Sequence, residues 1–172
     1  MSAARRSPSF QAVGRRAPTG GLFALIALAC VGAVAAALVS QHVYGMDPCA
    51  WCILDRLIFL TLAGFAVLGL AWRSPAGARV AGTFSLMLAV AGIAAAMWLH
   101  FVASKTVSCK LTLADRIVTA TQLDRLVPGV FEARASCADA AVSLLGISYD
   151  YWAAAAFAFC AVASIRALRL AA

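Results

Sequence analysis

Four apolar runs dominate the chain, near residues 21–40, 53–72, 80–104 and 144–165. Each is close to the roughly 20 mostly apolar residues that a helix needs to cross the hydrocarbon core of a bilayer. Backbone exposed to lipid must satisfy its own hydrogen bonds, which leaves helices as the spanning element here. The pattern predicts an all-α membrane protein, a four-helix transmembrane bundle. A flexible tail covers residues 1–20 and the membrane domain residues 21–167, with the second span opening near residue 50. A long loop over about 105–143 joins the third and fourth spans, and residues 168–172 form a short C-terminus.

Composition agrees with this pattern. Of 172 residues, 64% are hydrophobic and 12% charged, against about 45–50% and about 25% in an ordinary soluble domain. A disordered chain is excluded, and a water-soluble globule fits poorly. Glycines at 64, 69, 82 and 92, with many alanines, allow close helix approach. Trp51, Trp72, Trp98 and Trp152 fall near span ends, where aromatic belts form.

The net charge of +7 is distributed as a topology signal, not as a nucleic-acid footprint. Arg5, Arg6, Arg15 and Arg16 precede the first span, Arg73 and Arg79 separate the second and third, and Arg166 and Arg169 follow the fourth. With four spans these segments share one side of the membrane, and the Lys/Arg bias makes that side cytoplasmic. The loop between the third and fourth spans is then outside. It carries Lys105, Lys110, Arg116, Arg125 and Arg134 against Asp115, Asp124, Glu132 and Asp139. The first span exceeds the roughly 7–15-residue apolar region of a cleaved signal peptide, and it is read as retained.

The cysteines carry the candidate chemistry. Of the six, Cys30 and Cys160 lie inside spans and read as small apolar packing residues. Cys49 and Cys52 form a Cys-Ala-Trp-Cys run, and Cys109 and Cys137 lie in the long loop. All four are on the outer side, where an oxidising compartment favours disulfides. Three pairings are open, and Cys49 with Cys52 is the natural local one, leaving Cys109 with Cys137. A staple between residues three apart closes almost no loop. A redox pair uses that spacing better, because one thiolate attacks while its neighbour resolves the mixed disulfide. A zinc site is the bland alternative, but no second Cys-X-X-Cys supplies its remaining ligands, and no metal is expected.

Asp47-Pro48 reads as an N-cap followed by a first helical proline, placing both cysteines in the first turn of the second span. Arg56 lies one turn beyond Cys52 on the same face. An ionisable group entering a span suggests function, with snorkelling or pairing with Asp55 as its alternatives. His100 falls about one turn from the outer end of the third span, at the same depth. No nucleotide fold, flavin motif or haem ligand set accompanies the thiols. A thiol pair beside a hydrogen-bond donor at membrane depth suits a lipid-soluble carrier with carbonyl oxygens, a quinone.

These residues match a known pattern. Gln41-His42-Val43, Pro48-Cys49-Ala50-Trp51-Cys52 with Asp55-Arg56, His100, Leu123-Asp124-Arg125-Leu126-Val127-Pro128 with Val130-Phe131, and Cys137-Ala138 follow one another in order. Over about residues 22–165 the chain resembles the DsbB family, the bacterial inner-membrane quinone reductases that regenerate the periplasmic disulfide donor DsbA. Trp51 stands where a smaller aliphatic is common, and Asp55 replaces the more familiar Glu. The resemblance implies a relay through two disulfides, Cys109–Cys137 and Cys49–Cys52. A DsbA-like thioredoxin-fold protein attacks the first, with Cys109 as the mixed-disulfide partner. Cys52 then faces ubiquinone or menaquinone, Arg56 polarises a quinone carbonyl, and His100 helps line the pocket. The apolar positions Leu113, Ile117, Leu123, Val127 and Phe131 of the loop suit a membrane-surface segment. A vitamin K epoxide reductase-like enzyme is the nearer rival, although that family places its Cys-X-X-Cys late in the bundle. A non-enzymatic assembly or metal-handling protein is the other.

Overall fold

The computed structural model describes residues 16–72, 74–105, 113–140, 142–144 and 146–171. Four long helices carry the fold: α1 (Arg16–Tyr44), α2 (Ala50–Ala71), α3 (Pro75–Phe101) and α7 (Tyr149–Ala171). All four are long and apolar enough to cross a membrane. Large apolar side chains such as Leu28, Val67, Met87 and Phe159 point outward, which suits a lipid-facing surface. Helix α1 packs on α2, α2 on α3, α3 on α7 and α7 on α1, so the bundle closes as a ring.

Small residues permit the close approaches. A methyl group added at Gly92 of α3 would overlap the ring of Phe157, which stacks on Phe59 with centroids 3.8 Å apart. Gly92→Ala should therefore lower stability by about 1–3 kcal/mol through overpacking, read as an earlier thermal midpoint in detergent. Cys30 and Cys160 are both fully buried in this core, their sulfurs 3.8 Å apart between α1 and α7. That placement matches the packing role expected of them. Ser74 caps α3, its hydroxyl accepting from the Gly77 N–H at 3.0 Å, with Pro75 opening the helix.

The long segment after α3 folds back onto the bundle. A 3₁₀ turn (Ala103–Lys105) precedes α4 (Leu113–Thr121), α5 (Leu123–Leu126) and α6 (Pro128–Phe131). Val118 and Phe131 bury against Ile53 of α2, with Leu57, Leu123 and Val130 packed around them. Leu113, Ile117, Leu126 and Val127 remain exposed. The expected apolar set thus divides, one side gripping α2 and the other facing outward.

Helix α7 begins five residues later than the start of the apolar run at 144. A small antiparallel hairpin intervenes, β1 (Ser143–Leu144) with β2 (Ile147–Ser148), and Leu144 opposes Ile147. Gly146, at φ +79°, makes the turn that a residue with a side chain adopts only with strain.

Three of the tryptophans are exposed near helix ends, as an aromatic belt requires. Trp51 is the exception. It is buried in the cluster formed by Cys49, Leu54, Ala95 and Leu99, with its ring 6.5 Å from that of Trp98.

Candidate redox site

The Cys-Ala-Trp-Cys run straddles the start of α2. Cys49 is itself the N-cap, extended at φ −87° and ψ 172°, and its sulfur accepts from the Cys52 N–H at 3.4 Å. This corrects the expected start at Asp47-Pro48. The carbonyl of Pro48 instead accepts from the N–H groups of Arg134 (3.0 Å) and Ala135 (3.3 Å). Committing that carbonyl to the loop keeps Pro48 outside the helix and draws residues 134–137 towards the thiols. The Cys49 and Cys52 sulfurs lie 2.9 Å apart.

Cys137 reaches the same cluster. It packs against the cluster that contains Cys49, Ala50 and Trp51, close enough for its thiol to interact with that of Cys49. Hydrogen bonding to Cys137 and Cys52, together with burial, pushes the Cys49 thiol up. The same bond, helped by the Trp51 N–H, holds Cys137 below the ordinary thiol range despite burial. Of the two, Cys137 is the thiol that ionises first when both are reduced. In the fully reduced protein Cys137 should alkylate at lower pH than an ordinary thiol. Cys49→Ala removes that interaction, so the Cys137 alkylation profile should move to higher pH, checked by mass spectrometry of the labelled peptides. Cys109 lies outside the described residues.

Arg56 sits one turn below Cys52 and is buried. It neither snorkels nor pairs with Asp55. Its Nη1 donates to Gln41 Oε1 at 2.7 Å and to the Val130 carbonyl at 2.8 Å. Gln41 in turn donates from Nε2 to the Gly129 carbonyl at 3.4 Å. The guanidinium therefore ties the end of α1 and helix α6 to α2. Both of its bonds among the described residues use Nη1, so the rest of the fork is not needed to hold the side chain.

Beside these groups lies a cavity of about 220 Å³. Ala33, Val34, Ala37, Phe59, Leu99 and Ala153 give it apolar walls. Cys52, Asp55, Arg56, Tyr149 and Asp150 are its chemically active lining residues. Asp55 is 7% exposed, and its Oδ1 has no hydrogen-bond partner among the described residues. His100 is not a wall of this cavity. It stands behind Asp150, with its Nδ1 3.4 Å from Asp150 Oδ2, and its ring lies 4.5 Å from that of Tyr151.

The structure thus brings together Cys49, Cys52, Cys137 and Arg56, and links His100 to them through Asp150. Two contributors were not singled out from the residues alone. Gln41 was visible as a polar residue closing an apolar span, and Asp150 as an acidic residue beginning one.

The family model described as "Disulfide bond formation protein DsbB" matches residues 19–167. The chain belongs to the DsbB family. "Disulfide bond formation protein B" of Burkholderia pseudomallei (strain 1106a) is 34% identical over 142 residues, 82% of this chain and 84% of the relative. "Disulfide bond formation protein B 1" of Pseudomonas savastanoi pv. phaseolicola is 35% identical over 141 residues, 80% and 82% of the two chains. The protein of the first name from Herminiimonas arsenicoxydans is 31% identical over 133 residues, 77% and 83%. This DsbB family member is a multi-pass membrane oxidoreductase of disulfide bond formation. The family match spans all four long helices and the site between them.

Proposed function

We propose that the protein reoxidises a periplasmic DsbA-like thioredoxin-fold dithiol protein and delivers the electrons to ubiquinone or menaquinone in the bacterial inner membrane. Both termini are cytoplasmic and the cysteine-bearing segments periplasmic. The Lys/Arg distribution supports this orientation. The single observation that carries the reading is the position of the Cys49–Cys52 pair. Cys137 meets it on one side, and Cys52 opens into an apolar cavity beside Arg56 on the other.

The active form holds two disulfides, Cys109–Cys137 and Cys49–Cys52. The partner's thiolate attacks Cys109 and releases Cys137 as a thiolate. Cys137 attacks Cys49, against which it already rests, and Cys52 leaves as the new thiolate. Cys109 is then regenerated as a thiol when the partner's second sulfur displaces it, and the partner departs oxidised. Cys109 then attacks Cys137, re-forming Cys109–Cys137 and releasing Cys49 as a thiolate, and closure of the Cys49–Cys52 disulfide would release two electrons to an acceptor in the cavity.

The cavity fits a quinone ring. Its walls are apolar, a thiol and a cation sit together on them, and Asp55 Oδ1, with no hydrogen-bond partner among the described residues, could accept from the hydroxyl of the reduced ring. A quinone supplies a two-electron, two-proton acceptor that diffuses in the bilayer. Arg56 would bind its carbonyl oxygen and stabilise the charge that develops there. Leu113, Ile117, Leu126 and Val127 would rest the loop on the membrane surface.

The test is optical measurement of quinone reduction by the purified protein, with a reduced thioredoxin-fold protein as donor. The wild type turns over, and Cys52→Ala does not. A folded wild type that reduces neither quinone with several donors would move the assignment to structural cysteines.

A further inference from the structure

The relay described above accounts for the thiols and Arg56 but leaves Asp150 unused. Asp150 is 7% exposed and walls the cavity together with Asp55. Its Oδ2 accepts from the Ser148 hydroxyl at 3.2 Å and faces His100 Nδ1 at 3.4 Å. Accessibility rises along this line, from 9% for the Asp150 side chain to 27% for that of His100. The contact joins a buried carboxyl group on the cavity wall to a partly exposed imidazole near the C-terminal end of α3.

We propose that Asp150 and His100 form the route by which protons enter the cavity during quinone reduction. The inference rests on the quinone assignment above. Its chemistry balances as follows. Two S–H bonds break at Cys49 and Cys52, one S–S bond forms, and two electrons pass to the acceptor. The two thiol protons leave to the outer water, and two protons enter to complete the hydroquinone.

Apolar walls carry no protons, so a side chain must deliver them. Arg56 remains protonated under all working conditions and cannot cycle. Asp150 gives its proton to the acceptor's oxygen, and His100, with Nδ1 carrying the hydrogen, reprotonates it. His100 then recovers a proton from water at Nε2, and the cycle runs twice per turnover. Imidazole is suited to this exchange near neutral pH. The groups facing Asp150 are Cys52, Asp55, Arg56 and Tyr149 around the cavity, and Ser148 and His100 behind it. Two of them, Tyr149 and His100, are partly exposed titratable rings. A phenol ordinarily titrates at about 10, which leaves the imidazole as the one suited to exchange near neutral pH. Asp150 is therefore the proton donor and His100 a positioning and relay residue.

The experiment compares wild type, Asp150→Asn and His100→Ala in nanodiscs, with three readouts. The first is kcat and quinone KM in H₂O and D₂O. The second is infrared difference spectroscopy on quinone addition, with ¹³C-aspartate labelling. The third is binding of a non-reducible quinone analogue. Asp150→Asn should lower kcat about a hundredfold, the scale of a lost general acid, with analogue affinity kept within twofold. A label-sensitive carboxylic C=O band present in the wild type should vanish. His100→Ala should lose activity that millimolar imidazole restores, an effect that a structural role would not produce.

Should Asp150→Asn fail to fold, the His100→Ala rescue and the wild-type band decide the question. An Asp150→Asn variant with wild-type kcat and isotope effect overturns the proposal. So does a His100→Ala variant that imidazole does not rescue, or an Asp150→Asn variant whose loss is entirely in analogue binding. A wild type that neither binds nor reduces quinone overturns the quinone assignment as well.

Discussion

Cys52→Ser accumulates a Cys49–Cys137 disulfide and loses quinone reduction. In the native site Cys52 competes with Cys137 for Cys49. Its sulfur is 2.9 Å from that of Cys49, and it resolves the inter-pair bond as soon as that bond forms. Serine keeps the size and removes the resolving thiolate. Without Cys52, Cys49 attacks Cys137 of the Cys109–Cys137 disulfide and releases Cys109 as a thiol. Cys137 already packs on the cluster that holds Cys49, so no large loop movement is needed to form the trapped bond. Non-reducing peptide mapping should find Cys49 joined to Cys137, with turnover reduced by at least about a thousandfold, since no bypass for the electrons remains. A map showing Cys49 as a free thiol and Cys137 joined only to Cys109 would contradict the exchange step.

Arg56→Ala raises the apparent quinone KM by about tenfold to a hundredfold. A hydrogen bond from a charged donor contributes about 1.5–3 kcal/mol, and about 1.4 kcal/mol corresponds to each factor of ten. The substitution also unpairs Gln41 Oε1 and the Val130 carbonyl. Each buried orphan costs about 1–3 kcal/mol, so thermal stability falls as well. Gln41→Ala separates the two effects. It removes the tie between α1 and α2 but leaves the guanidinium beside the cavity, so it should lower stability with a smaller change in KM. Equal KM changes in the two variants would reduce Arg56 to an anchor for helix α6.

The long helices were legible because lipid selects them by a single coarse property, length of uninterrupted apolarity. The Cys-X-X-Cys was legible for a similar reason: spacing three cannot serve well as a staple. Arg56 stood out because charge in a span is costly. What held it was not legible, since Gln41 and Val130 are brought to it by packing between segments distant in sequence. The same is true of Pro48. Its local signal is that of a first helical proline, but capture of its carbonyl by residues 134 and 135 overrides that signal and makes Cys49 the cap. Trp51 read as an interfacial aromatic by position, whereas its place in the first turn of α2 turns it towards Cys49 and α3. Asp150 was hidden for the opposite reason. An acidic residue in the first turn of a helix is favoured by the helix dipole alone, so its position on the cavity wall has no distinct sequence signature.

The relay itself is tested most directly by changing the donor. Quinone reduction is measured for the wild type and Cys137→Ser, once with a reduced thioredoxin-fold protein and once with dithiothreitol. The protein donor must enter through the loop cysteines, whereas the small dithiol reaches Cys49–Cys52 without them. The account predicts that Cys137→Ser abolishes reduction driven by the protein donor and retains reduction driven by dithiothreitol. Equal rates for Cys137→Ser and wild type with the protein donor would contradict it, because electrons would then be reaching the Cys49–Cys52 pair without passing through the loop.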